Sequence, residues 1–264
     1  MKNFSQIDQG LIIEYKKIFH TKVDEIKEII HSIPNEITLS DNFVQVLRHV
    51  YQVLIHEDLI SVEILMKNDL TLAASKISRS MLEIAAISSY IFKLDPLERE
   101  EKSKSFMNFD GGKKRNGKDK YEYDWLATIT KSSIKDIIVD QGLDLKGIID
   151  FAFKGDDGRE IKLSLYDFLS KIVHYNPKLL KVIINIDQEK RQIYYPPAYL
   201  SVCMATAIAA MNALTQFCIV FYEHVYPDLY SEEKQKFFML NQEFSSQLNA
   251  LSQRYCETIM EASF

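Results

Sequence analysis

Residues 70–94, LTLAASKISRSMLEIAAISSYIFKL, constrain the fold more than any other stretch. Ala73, Ile77, Met81, Ile84, Ile87, Ser88 and Ile91 recur at helical spacing. The opposite side, with Leu72, Ser75, Leu82, Ala86 and Ser89, is also small or apolar. A helix this apolar all round needs cover on more than one side. Three charges nevertheless share a stripe in its middle: Lys76, Arg79 and Glu83. Burying such groups is costly unless they are paired and hydrogen-bonded.

A second apolar helix is expected over about 198–226, where no charged residue occurs between Gln192 and Tyr222. It is long enough to cross a bilayer. Asn212, Thr215 and Gln216 interrupt it, however, and no Lys/Arg cluster marks its ends. Ala205, Ala207, Ala209, Ala210 and Ala213 suit close helix–helix contact, so the expectation is a core helix with no membrane span.

The remaining pattern is helical too. Phe4, Ile7, Leu11, Tyr15, Ile18, Lys22, Ile26, Ile29 and Ile33 step by three and four up to Pro34, and all but Lys22 are apolar. Ser40 and Asp41 supply an N-cap for a helix through Phe43, Val46, Leu47, Val50 and Leu54, reaching toward Met66. Ser231 is the expected N-cap of a last helix with Glu232 and Glu233 in its first turn. Its apolar stripe, Phe237, Leu240, Phe244, Leu248, Leu251, Tyr255 and Ile259, either completes the core or pairs with a second copy. That stripe carries the expectation of a homodimer.

Between 97 and 160 the character changes. LEREEKSKS is a charge run expected to form a solvent-exposed helical end, and GGKKRNGK reads as a basic mobile loop. Short elements follow, cut by Gly142, Gly147 and Gly155. FAFKGDDGREIKL is the expected place for a hairpin around Asp157-Gly158. A helix is expected over 164–174, and 179–186 fits a strand or a short helix. With only Gly 8 and Pro 6 in 264 residues, breakers are scarce. The expected architecture is all-α: a multi-helix bundle, one helical domain over 1–264, with two buried central helices and a loop-rich insertion at about 97–160.

A net charge of −5 excludes a global basic field for nucleic acid, leaving local patches. Gly112 to Lys118 matches G-x-x-x-x-G-K, but Asp119 replaces the Ser or Thr that a P-loop needs, and no core strand precedes it. Lys113, Lys114 and Arg115 are therefore expected to meet phosphates only as a basic loop. Glu28 and His31 form a lone E-x-x-H, and His56-Glu57-Asp58 is not followed by a closing histidine. No metal and no cofactor are expected. Cys203, Cys218 and Cys256 lack metal or C-x-x-C spacing and read as reduced thiols. The N-terminus has no signal-like apolar core, which points to a cytoplasmic protein.

Tyr166, Ser170 and His174 share one helix face at four-residue steps. Histidine titrates near neutral pH and suits acid–base work, while Arg79 suits a phosphate and Glu83 can orient the histidine. The bland alternative is a histidine favouring a helix C-terminus and a serine bonded backward to its own helix. No G-x-S-x-G elbow presents Ser170 as a nucleophile.

Arg79, Leu82, Glu83 and Tyr90, then Trp125, then Tyr166, Leu169, Ser170 and His174 give R-x-x-x-E followed by Y-x-x-L-S-x-x-x-H. This set resembles a family of uncharacterised bacterial all-helical proteins over about 72–177. That family looks related to the HEPN-type domains, many of which are ribonucleases acting as toxins or in anti-phage defence. The HEPN signature is an arginine, then four to six intervening residues, then a histidine. Here Asp167, Phe168 and Leu169 stand ahead of His174, and Arg48 and His49 are adjacent. The resemblance implies a nucleic-acid-directed effector, with His174, Arg79, Glu83 and Ser170 as its site and RNA as ligand. The alternative is a non-catalytic helical sensor or partner-binding subunit in which the same residues are structural.

Overall fold

The computed structural model describes residues 4–31, 41–107, 145–152, 159–174, 185–187, 192–194, 200–227 and 230–262. Helices α1 (Phe4–His31), α2 (Asn42–Tyr51), α3 (Leu59–Lys67), α4 (Thr71–Phe92), α5 (Pro96–Met107), α6 (Leu145–Ala152), α7 (Arg159–Val173), α8 (Leu200–Val225) and α9 (Tyr230–Ala262) make an all-α bundle. A single antiparallel pair, β1 (Asn185–Asp187) with β2 (Gln192–Tyr194), is the strand structure among the described residues.

Two long, apolar helices, α4 and α8, share the most extensive contact in the bundle. Every residue from Ile84 to Ile91 is buried, so this part of α4 has no solvent side. Alanines at 205, 209 and 213 of α8 are buried with it and let the two backbones approach. Where polar groups meet in this seam they are paired: Gln216 Nε2 donates to Ser89 Oγ at 3.0 Å. Val202–Val225 is the candidate membrane-length helix, and 72% of its most apolar window is buried within the fold.

The other helices cover this pair. From α1, the buried Tyr15 hydroxyl donates to the Met204 carbonyl at 3.0 Å. Lys22 breaks the apolar stripe of α1 because it reaches Glu25 at 2.9 Å and Glu243 of α9 at 2.6 Å. The expected C-terminal stripe completes the core: Phe237, Leu240, Phe244, Leu248 and Leu251 are buried, and α9 packs on α1 and α8. It is thus unavailable to a second copy in this part. The side chains of Tyr255 and Ile259 lie outside the described residues, as do Pro34 and Ser40.

Asp41 is the cap of α2, its Oδ1 accepting from the Val44 amide at 2.7 Å. Glu100 of α5 accepts from the Asn42 amide at 3.1 Å and its Nδ2 at 2.9 Å, placing an anion at the positive end of α2. Arg99 donates to the carbonyls of Phe92 (2.6 Å) and Leu94 (3.2 Å) just past the end of α4. The charge run at 97–105 is therefore a capping helix as much as a solvated one. The rest of the expected insertion contributes α6, which packs on α4, while 108–144 and 153–158, with the basic loop and Trp125, lie outside the described residues.

Two local expectations need correction. The second arm of the expected hairpin is helical, since Arg159 to Leu163 are the first turns of α7, while Asp157 and Gly158 lie outside the described residues. Asp and Gly favour a helix start as well as a tight turn, and the apolar period beyond them is helical. Ser231 lies inside α9, which already begins at Tyr230. The strand alternative for 179–186 is met at Asn185 and Ile186.

Between α2 and α3 the helix widens into a π turn, Gln52–Asp58. Asp58 closes it with Oδ2 buried and without a hydrogen-bond partner among the described residues. Burial first, then the Glu57 charge, pushes its carboxyl from 3.8 up to about 6. Below about pH 4 this group is neutral folded and unfolded alike. As pH rises through 6 the folded state must ionise it, and stability falls. Asp58→Asn is expected to gain about 1–2 kcal/mol at pH 7, most of a two-unit shift discounted for partial solvation, and to lose nothing at pH 4. Thermal melts at both pH values check this; an unchanged pH slope in the variant would contradict it.

Candidate functional site

Arg79 and Glu83 sit one turn apart on α4, and Tyr166 and Ser170 one turn apart on α7. These two helices pack directly. Leu169 and Ile172 of α7 are buried in the common core, which fixes the rotation of α7 and turns Tyr166 and Ser170 toward α4.

The four side chains meet around the Arg79 guanidinium. Its Nε donates to Ser170 Oγ at 3.1 Å, and its Nη2 donates to the Tyr166 hydroxyl at 3.0 Å. The guanidinium carbon stands 5.1 Å from the Tyr166 ring centroid, within cation–π range. Glu83 Oε1 lies 2.7 Å from Nη2 in an ion pair, yet off the donor direction, so it accepts no aligned hydrogen bond. The side chains of Arg79 and Glu83 keep 19% and 13% of their exposure, which puts the pair at the edge of the core rather than at its centre.

Electrostatics follow from that position. Burial pushes the Glu83 carboxyl above its ordinary range, and the Arg79 charge and a hydrogen bond from Tyr166 pull it back only in part. Burial likewise raises the Tyr166 phenol, against the Arg79 hydrogen bond. Arg79 can meet an anion here, but the anion would compete with Glu83 for the same guanidinium edge.

Of the residues expected from the sequence, Arg79, Glu83 and Ser170 are brought together, and Tyr166 joins them. Ser170 accepts from Arg79 across the interface, and its carbonyl takes the His174 amide at 3.0 Å. His174 itself is exposed in the turn after α7, and among the described residues its ring holds no hydrogen bond or ion pair. Lys76, third on the expected stripe, stays exposed. Lys113, Lys114 and Arg115 lie outside the described residues.

A second polar cluster was not expected. Glu63 of α3 is buried and accepts from Lys27 at 2.6 Å and Lys67 at 2.8 Å, with His20 Nδ1 3.5 Å away. Burial raises this carboxyl, but the two lysines outweigh it and hold it below its usual range. The Glu63–Lys67 step was legible as an i, i+4 pair; the Lys27 and His20 contacts cross between helices. Glu63 takes both lysines, while the two ring nitrogens of His20 beside it are buried without a hydrogen-bond partner among the described residues; the Lys27 pair ties α1 to α3. Among the described residues no group of three His, Cys, Asp or Glu is arranged to hold a metal. Cys203 and Cys218 are buried and free, with burial raising both thiols. No protein-family model, curated protein or solved structure matches this chain.

Proposed function

We propose that the α4–α7 cluster is the working centre of a HEPN-like, nucleic-acid-directed effector, a ribonuclease of the toxin or anti-phage kind. The observation that carries the reading is convergence. Residues 87 and 91 positions apart in sequence meet around Arg79 at the edge of the core. His174, one turn beyond Ser170, is open to solvent where a substrate can reach it. In this reading Arg79 meets a phosphate, His174 moves the proton, and Glu83, Ser170 and Tyr166 position Arg79.

The test is an RNA gel from cells expressing wild type or His174→Ala at matched soluble levels. Discrete cleavage by wild type is expected, reduced at least about 100-fold in the variant, the usual contribution of an acid–base group. His174 is exposed, so its loss leaves the core untouched. RNA intact in both would remove the ribonuclease reading. A second reading then stands on its own observation: Arg79 is already engaged by Ser170, Tyr166 and Glu83 within the fold. In that case the cluster fixes helix packing in a non-catalytic, partner-binding protein.

A further inference from the structure

Helix α1 meets its neighbours in two different ways. Tyr15, Phe19, Val23 and Ile26 are buried in the common core, and α1 packs most on α9 and α8. Its seam with α3 is thinner and is crossed by charge. Lys27 donates to Glu63 at 2.6 Å, and Lys16 pairs with Asp69 in the turn after α3. His20 stands between those two lysines on α1, with Nδ1 3.5 Å from Glu63 Oε1. Both of its ring nitrogens are buried, and neither has a hydrogen-bond partner among the described residues. A protonated ring would carry two charged N–H donors into that position.

The charges around the ring leave no acceptor in reserve. Glu63 Oε1 already takes Lys67 at 2.8 Å and Oε2 takes Lys27, so an imidazolium would be a third cation on one carboxylate. Asp24 of α1 lies 3.7 Å from Lys27, and Asp69 is engaged by Lys16. From α8, Cys203 lies near Lys16 and Asp69, and burial keeps its thiol protonated. Glu223 and His224 stand at the far end of α8 from Met204, where Tyr15 bonds. Glu243 of α9 is drawn to Lys22. Burial first, then the Lys67 charge, holds the His20 ring below the ordinary histidine range, against Glu63 and Asp24. We propose that His20 makes the α1–α3 seam a clamp that holds at neutral pH and loosens in mild acid. An unfolded histidine takes its proton near pH 6.5, and folded His20 only at lower pH. The clamp is therefore at full strength above that range and weakens as the pH falls below it. Glu63, held down by its lysines, adds a further loss only at lower pH, below the ordinary carboxylate range.

The experiment is urea unfolding of the full chain at pH 7.5 and 5.5, for wild type, His20→Gln and His49→Gln. Asp58 and Glu83 titrate in the opposite sense, but all three proteins carry them, so they drop out of the comparison. Between the two pH values the wild-type folding constant should fall roughly three- to tenfold relative to that of His20→Gln. The upper figure, about tenfold, is the ceiling for one ordinary histidine over that interval. His49 is exposed on α2, and His49→Gln should keep the wild-type response. A His20 that only fills space would shift stability equally at both pH values, and that result would overturn the proposal. Should His20→Gln fail to fold, proton NMR titration of the assigned His20 ring in wild type decides. A midpoint below that of an exposed histidine supports the clamp, and one at or above it overturns it.

Discussion

Arg79→Ala is expected to lower the stability of the protein by about 3 kcal/mol, the low end for breaking a buried pair, because Arg79 keeps some solvent. The variant removes the donor to Ser170 and Tyr166, the cation over the Tyr166 ring and the partner of Glu83. Most of the loss comes from what stays behind. Glu83 would remain a buried carboxylate whose burial is no longer opposed by a cation. A carboxyl already raised in the folded state costs stability as pH climbs through its folded value, and without Arg79 that value moves higher. The deficit should therefore be smaller in mild acid, where Glu83 carries its proton, and largest at neutral pH. For a chain of this size, 3 kcal/mol corresponds to a fall in Tm of about 6–12 °C. Arg79→Lys should recover little, since an ammonium lacks the planar fork that reaches Ser170 and Tyr166 together. Replacing both Arg79 and Glu83 by apolar residues should restore much of it, because the stranded charge is gone. A loss under 0.5 kcal/mol in Arg79→Ala, measured by urea unfolding, would show that the network contributes nothing to the fold.

Phe217→Ala is expected to be the more damaging change, at about 4 kcal/mol. Phe217 is fully buried in α8, with ring centroids 5.7 Å from Phe221 and 6.5 Å from Tyr51. Tyr51 in turn stacks on Phe221 at 5.3 Å, so these rings tie the end of α2 to α8. Truncation leaves a ring-sized void that helices pinned by Gln216 and Tyr15 cannot collapse into freely. The lost ring contacts add to the transfer term. Phe217→Leu should cost about 1–2 kcal/mol, since a smaller void remains. Leu97→Ala, at a side chain 82% exposed, should stay within about 0.5 kcal/mol. Equal melts for Phe217→Ala and Leu97→Ala would contradict the assigned core.

The helices themselves were legible because their signals are short-range. Apolar steps of three and four mark α1, α4, α8 and α9, and Asp41 marks the start of α2, all within a few residues of chain. R-x-x-x-E and S-x-x-x-H were legible as faces for the same reason. Local chemistry failed where one signal serves two structures. Asp157-Gly158 suits a hairpin or a helix start, and only continuation of the helical period past Arg159 separates them. The π turn at Gln52–Asp58 has no residue signature, and with it went Asp58. Whether Arg79 meets Ser170, whether Lys22 finds Glu243 and whether Lys27 finds Glu63 depend on rotations and offsets of packed helices. Those are set by the interdigitation of the whole core, in which Leu169 orients α7 and the alanines of α8 set its approach to α4. The sequence by itself determined which faces are apolar. Tertiary packing decided which polar groups on those faces share a site, because burying the apolar surface fixes the helix rotations and the polar contacts must follow.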